Sequence, residues 1–293
     1  MERGRHAIAA LVVLAGVLWL YNGVLSSLVR QWASDDNYSH GFLIVPLALY
    51  FAWERRDALR RAEARPSALG LAIVTASLLL FAAGVFAAEL FLTRISVVGV
   101  AAGAILFVWG RAHVRQLALP LALLPLMIPL PAIAFNQIAF PLQLVASRVG
   151  EAAIAAAGIP VLREGNVLEV PNLTMAVAEA CSGIRSLISL ITLAIVFAQF
   201  TERRRLRKAA IVLAAVPIAI AANAARVAGT GLAAHWLGPR AAEGFFHGFS
   251  GWLVFAVAFA GLIGVQQILK RFPRSAIRAD RRLHAEEQCS PAR

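Results

Sequence analysis

Long apolar runs separated by short polar loops dominate the pattern of this chain. Those of helical length lie near 7–29, 41–53, 67–88, 92–110, 114–133, 182–200, 208–234 and 249–269. Most approach the roughly 20 residues that an α-helix needs to cross the hydrocarbon core of a bilayer. The pattern therefore predicts an all-α polytopic membrane protein with about eight transmembrane helices.

The stretch between the fifth and sixth runs has a different pattern. Prolines in 119–133 predict a kinked fifth span, because each ring removes a backbone donor. In 134–158, polar residues recur with a helical period, which predicts an extracytoplasmic amphipathic helix on the membrane surface: Gln137, Gln143, Arg148 and Glu151. In 161–177, two short β-branched stretches flank Glu-Gly-Asn and predict a short hairpin or extended segment before the sixth span.

The charge distribution sets the expected orientation. The chain is 60% hydrophobic, has a mean hydropathy of +0.72 and carries a net charge of +12. Most of its 28 lysines and arginines lie on one side of the eight predicted spans, whereas the acidic residues divide evenly. The positive-inside rule then places both termini in the cytoplasm. The basic charge is explained by topology and by contact with membrane lipids, so we expect no nucleic-acid partner.

We expect one integral membrane domain over 1–270 and a basic cytoplasmic tail over 271–293, whose polar composition predicts disorder. Cys181 and Cys289 are the only two cysteines. The predicted topology puts them on opposite faces of a layer about 30 Å thick, so they cannot form a disulfide within the chain.

Four polar clusters interrupt the apolar sequence, and the predicted topology brings all of them to the outer face. They lie at 35–42, 178–186, 223–231 and 243–252. The last three contain the residues most able to carry chemistry: Cys181, Arg226 and His247.

These three residue types suit acyl transfer. The predicted helix start and Arg185, four residues on, favour the thiolate of Cys181, whereas Glu179 opposes it. Arg226 can stabilise an oxyanion with planar hydrogen bonds. His247 can pair with the thiol or protonate a departing amine.

Each of these residues also has a structural interpretation. A lone membrane cysteine is most often a small buried hydrophobic residue. Arg226 can form an ion pair with Glu179 or Glu243, and His247 can be an interfacial residue. His40 can cap a helix. Because these residues are all predicted on the outer face of the membrane, a functional role is favoured over separate structural roles.

At these positions the chain resembles the exosortases, which belong to the exosortase/archaeosortase family of membrane-embedded cysteine transpeptidases. The resemblance rests on Ala-Cys-Ser-Gly at 180–183, Asn-Ala-Ala-Arg at 223–226 and Phe-His-Gly-Phe-Ser-Gly-Trp at 246–252. Tyr-Ser-His-Gly at 38–41, followed by an apolar run that ends in Trp-Glu-Arg-Arg at 53–56, extends it. The short C-terminus is similar to that of stand-alone bacterial members without a fused C-terminal domain.

The resemblance implies that Cys181 is the nucleophile and that Arg226 and His247 complete the active set. It implies substrates that are exported proteins with a C-terminal sorting tail of the PEP-CTERM type, cleaved through a thioester and transferred to an amine-bearing envelope acceptor. It also implies a multi-pass protein of the bacterial inner membrane with its active site facing the periplasm. We expect no cofactor and no metal. We expect supporting or substrate-binding roles for Glu179, Ser182, Arg185, Asn223, His40, Arg163 and Arg240.

Three alternatives stay open. A transporter or lipid flippase would line its path with Arg226 and would tolerate loss of Cys181. A serine protease would use Ser182 or Ser250 with His247, although the sequence lacks the Gly-x-Ser-x-Gly elbow. A metal site of His40, His247 and Cys181 would lack the usual ligand spacing.

Overall fold

The computed structural model describes residues 15–171, 173–176, 183–238 and 245–271. Two predictions concern residues outside these ranges. They are the start of the first helix and the disorder that composition predicts for the tail beyond residue 271. The chain divides into two compact units, 1–141 and 142–293.

The first unit is helical. Residues 15–20 are helical up to a turn at Tyr21, after which the helix continues as α1. The helices are α1 (Asn22–Ser34), α2 (Gly41–Glu54), α3 (Arg56–Arg61), α4 (Ala68–Phe86), α5 (Leu90–Trp109), α6 (Arg111–Gln116) and α7 (Ala118–Leu123). Short 3₁₀ helices cover Asp36–Tyr38 and Leu124–Met127. The boundary between the units falls within the next helix, α8 (Ala132–Ala156).

The second unit combines helices with a small sheet. After α8 come β1 (Leu162–Glu164), β2 (Val167–Val170) and β3 (Leu173–Ala176), followed by α9 (Ile184–Thr201), α10 (Arg205–Leu237) and α11 (Phe245–Arg271). The strands form an antiparallel sheet in the order β1-β2-β3. The predicted hairpin therefore exists, and a third strand that the sequence pattern did not predict extends it.

Among the described residues, six helices are long and apolar enough to cross a membrane: α4, α5, α8, α9, α10 and residues 251–271 of α11. The prediction of an all-α polytopic membrane protein is confirmed at that level. The number of eight spans and the cytoplasmic position of both termini stay predictions. The surface position of α8 also stays a prediction, since α8 itself meets the criteria of length and composition for a span.

The predicted fifth span is not one continuous helix. It divides into α6, α7, a 3₁₀ turn and an extended stretch that reaches α8. Prolines explain the break. Pro131 has no N–H to donate to the carbonyl of Met127, and the indole of Trp32 donates to that carbonyl instead, at 2.9 Å. A side chain of α1 therefore satisfies a backbone group that Pro131 leaves unpaired.

Close packing of α4 against α5 depends on glycine. A methyl group placed on Gly70 would overlap the backbone nitrogen of Phe107, and one placed on Gly103 would lie 2.9 Å from that of Val74. Small residues allow two membrane helices to approach until their backbones touch. Gly70 and Gly103 fix the distance between these two helices.

Gly70→Ala is expected to destabilise the protein by about 1–3 kcal/mol, the usual cost of overpacking, because the new methyl group meets backbone that cannot rotate away. Gly264→Ala is the matched control in α11, where nothing lies within 4 Å. Thermal unfolding in detergent should show a lower Tm for Gly70→Ala and an unchanged or higher one for Gly264→Ala. Equal Tm values for the two variants would contradict the close approach of α4 and α5.

In the second unit, α9, α10 and α11 pack around a common core. Its fully buried members come from all three helices: Leu190, Ala194, Ala198, Ile211, Ala215, Ala219, Ala258 and Leu262. Alanine predominates in this core, so the helix axes can lie close together. Helices α9, α10 and α11 thereby form one compact bundle.

Candidate active site

The start of α9 is fixed against α10 by one glycine contact. Gly183 adopts a left-handed conformation with φ +78° and is the N-cap of α9. A methyl group on Gly183 would lie 2.7 Å from Cγ of Asn223, which is itself only 3% exposed. Only glycine accepts both this backbone conformation and this close approach without strain. The second and third polar clusters of the sequence thus meet directly.

Arg226 lies three residues after Asn223 and therefore on a neighbouring position of the same face of α10. It is half-buried. The helix continues for eleven residues beyond it, to Leu237, a distance of about 16 Å along the axis. An arginine this far inside an apolar helix is costly to desolvate and faces polar neighbours or a wet cavity.

The guanidinium of Arg226 lies beside α11. A methyl group on Gly251 would lie 4.0 Å from its Cζ and Nη2 atoms. Position 247 is four residues before Gly251 in the same helix. It is therefore on the same face of α11, about 6 Å along the axis from the contact with Arg226. The side chain of His247 lies outside the part of the chain that the structure describes.

The small sheet packs beside the same turn of α10. Leu168 of β2 is fully buried in a cluster that also contains Val227, the residue after Arg226. A methyl group on Gly150 of α8 would lie 3.0 Å from Val227 and 3.2 Å from Leu168. Helix α8, strand β2 and helix α10 therefore converge next to Arg226.

A polar stripe on α8 holds the sheet in place. Gln143, Ser147 and Glu151 recur every four residues, so they share one face of the helix. Gln143 accepts a hydrogen bond from the Asn166 side chain at 3.1 Å, and Ser147 donates to the carbonyl of Gly165 at 3.0 Å. The sequence pattern predicted an amphipathic helix here. Part of its polar face contacts the hairpin, whereas Arg148 is exposed.

Arg163 and Arg185, two predicted supporting residues, have different positions. Arg163, on β1, forms an ion pair with Glu151 at 2.6 Å and donates to the carbonyl of Gly165 at 3.0 Å, so it fastens the hairpin to α8. Arg185 is the second residue of α9 and is half-buried. Cys181, Glu179, Ser182 and Arg240 lie outside the described residues.

His40 belongs to the first unit. Its Nε2–H donates to the carbonyl of Leu126 at 3.0 Å, which assigns the hydrogen to Nε2 because a carbonyl only accepts. Burial lowers the pKa of His40, and the hydrogen bond to the backbone of Leu126 partly opposes that change. Its observed contacts hold the proline-rich segment, as do those of Trp32.

Arg94 is a buried residue that the sequence pattern did not predict to have a structural role. It lies near the start of α5, is 4% exposed and donates to Oε1 of Gln31 at 2.6 Å and to Oγ of Ser27 at 3.4 Å. A lone arginine in an apolar run signals such a site. Its neutral partners on α1 cannot be identified from spacing, because 63 and 67 residues separate them from Arg94.

A small gap lies where α9 and α10 meet in the second unit. A cavity of about 10 Å³, close to the volume that one water needs, is lined by Gly183, Asn223 and four apolar side chains. Nowhere in the described part of the chain do three His, Cys, Asp or Glu side chains come together as metal ligands would.

These features define a class: a multi-pass helical membrane protein in which a glycine-capped helix packs on a helix with an internal arginine, and that arginine lies beside Gly251 of the last helix. Over residues 32–264 the chain matches the transmembrane exosortase family, and it belongs to that family. The family comprises transpeptidases and proteases and acts on protein substrates that carry sorting signals. No curated protein matches the chain, and neither does any solved structure.

Proposed function

We propose that this protein is a cysteine transpeptidase that cleaves the C-terminal sorting tail of exported proteins, of the PEP-CTERM type, and transfers them to a cell-envelope acceptor. Cys181 is the nucleophile, Arg226 the oxyanion stabiliser and His247 the proton carrier. The protein is placed in the bacterial inner membrane with this site on the periplasmic side, as the positive-inside rule suggests.

One observation supports this proposal most: packing links the three sequence blocks of the candidate site. Gly183 touches Asn223, Asn223 shares a helix face with Arg226, and the guanidinium of Arg226 lies at Gly251, one turn from position 247. Two peptide units, at most about 7 Å of chain, separate Cys181 from Gly183. Chain length therefore keeps the thiol close to the start of α9.

The chemistry has two acyl-transfer steps. The thiolate of Cys181 attacks the carbonyl carbon of the scissile peptide bond, and the guanidinium of Arg226 stabilises the resulting oxyanion. The C–N bond breaks, and the imidazolium of His247 gives its proton to the departing amine, which leaves a thioester on Cys181. The acceptor amine then attacks the thioester, His247 takes up its proton, and the thiolate leaves.

Arg226 can be tested by co-expression with a reporter that carries a Pro-Glu-Pro tail. Wild type should shorten the reporter, whereas Arg226→Ala and Arg226→Lys should slow the shortening at least about a hundredfold, the usual effect of removing one oxyanion donor. Lysine fails because its point charge cannot reproduce the planar hydrogen bonds of a guanidinium. Immunoblotting of tailed and shortened reporter measures the effect.

Arg148→Ala is the matched control, because Arg148 is exposed on α8 in the same unit. It should process the reporter at the wild-type rate. Shortening by Arg226→Ala at the rate of Arg148→Ala would refute the role of Arg226.

A further inference from the structure

Strand β3 is an edge strand that precedes the candidate nucleophile in the sequence. It pairs with β2 on one side, and among the described residues no strand pairs with its other side. β3 ends at Ala176, five residues before Cys181. An edge strand presents unpaired backbone groups that another chain can join.

The hairpin register identifies the β3 groups that face the open edge. Val170 and Leu173 close a two-residue connection, as Glu164 and Val167 do in the first hairpin. The closing pair of such a turn exchanges backbone hydrogen bonds, and hydrogen-bonded residues alternate along an antiparallel ladder.

Leu173 and Met175 therefore direct their N–H and C=O groups to β2. Thr174 and Ala176 direct theirs to the open edge. The side chain of Thr174 is exposed.

Side-chain contacts attach the sheet to α8 and α10 next to the candidate site. Leu168 packs against Val227, which follows Arg226, while Ser147 and the Arg163–Glu151 ion pair fasten the hairpin to α8. A strand added along β3 would thus lie on a platform anchored one residue from Arg226 and continuous with the segment that contains Cys181.

We propose that the open edge of β3 binds the cleavage segment of the protein substrate as an added antiparallel strand, with backbone hydrogen bonds to Thr174 and Ala176. This inference rests on the proposed function and specifies how its substrate is recognised. Backbone pairing gives affinity for an extended peptide and delivers it to the site in one orientation. In a Pro-Glu-Pro segment only the glutamate has an N–H, so it is the residue that pairs.

The first test changes the strand. Thr174→Pro removes an N–H that faces the open edge and leaves the ladder to β2 intact, and proline is tolerated at such edge positions. Reporter shortening by Thr174→Pro should be about tenfold slower than by Thr174→Ala, the effect of losing a backbone hydrogen bond. Thr174→Ala is the matched control, because it removes the same side chain and keeps the N–H.

The second test changes the peptide and avoids any folding effect in the protein. Binding of a fluorescent twelve-residue peptide with a central Pro-Glu-Pro is measured on the Cys181→Ala protein in detergent. N-methylation of the glutamate should weaken binding about tenfold. N-methylation of the residue three positions later, whose N–H points away from β3, should have no effect.

Equal processing by Thr174→Pro and Thr174→Ala, or equal binding of the two methylated peptides, would overturn strand addition. Failure of the proposed function has a separate signature: Cys181→Ala would still shorten the reporter, whatever the result at Thr174.

Discussion

Cys181→Ala is expected to abolish shortening of a tailed reporter, with a loss of more than about a thousandfold in rate. Removal of a nucleophile leaves only the catalysis that binding and oxyanion stabilisation supply. Cys181→Ser should also be inactive, because a hydroxyl ionises far less readily than a thiol and is a much weaker nucleophile at neutral pH. Immunoblotting of both reporter forms provides the measurement.

Cys289→Ala is the control for this variant, since Cys289 is the only other cysteine in the chain. It should process the reporter as wild type does. Full shortening of the reporter by Cys181→Ala would exclude Cys181 as the nucleophile.

Gly183→Ala is expected to reduce processing at least about a hundredfold while the protein still inserts and folds. The new methyl group would lie 2.7 Å from Cγ of Asn223, so either the start of α9 or Asn223 must move. A displacement of about 1 Å at a reacting group is enough for such a loss. The left-handed conformation of residue 183 adds about 1–2 kcal/mol of backbone strain.

The Gly158→Ala variant separates the effect of backbone strain from the effect of the contact with Asn223. Gly158 has φ +79°, almost the value of Gly183, but nothing lies within 4 Å of the position that its methyl group would occupy. It should show a lower Tm and near-normal processing, whereas Gly183→Ala should lose processing as well. Similar rates for the two variants would mean that the contact of Gly183 with Asn223 does not shape the site.

The class of fold follows from the sequence because apolar length is a local property. A run such as that of α10 is long enough to span a bilayer wherever it packs, and the two-residue turn at Gly165 identifies a hairpin without further context. The structure of the proline-rich segment is harder to predict from the sequence. Each proline in 119–133 signals a break, but the donors that compensate for it come from Trp32 and His40, far away in the chain.

The sequence predicts candidate residues for the site but not the contacts that support them. The cysteine, arginine and histidine blocks are recognisable as an ordered set. The contact between Gly183 and Asn223 cannot be recognised in the sequence, because nothing in the spacing of α9 and α10 specifies which of their turns meet. The same holds for the polar stripe of α8: its period predicts a helix face, whereas its partner in the hairpin depends on tertiary packing.

The central claim is that a substrate acyl group passes through a thioester on Cys181. The most direct measurement is mass spectrometry of the wild-type protein after acid quenching during cleavage of a tailed peptide. We expect the proteolytic fragment that contains Cys181 to gain the mass of the N-terminal part of the substrate, and hydroxylamine to remove it. Cleaved substrate without an adduct, or an adduct on Ser182, would contradict the mechanism.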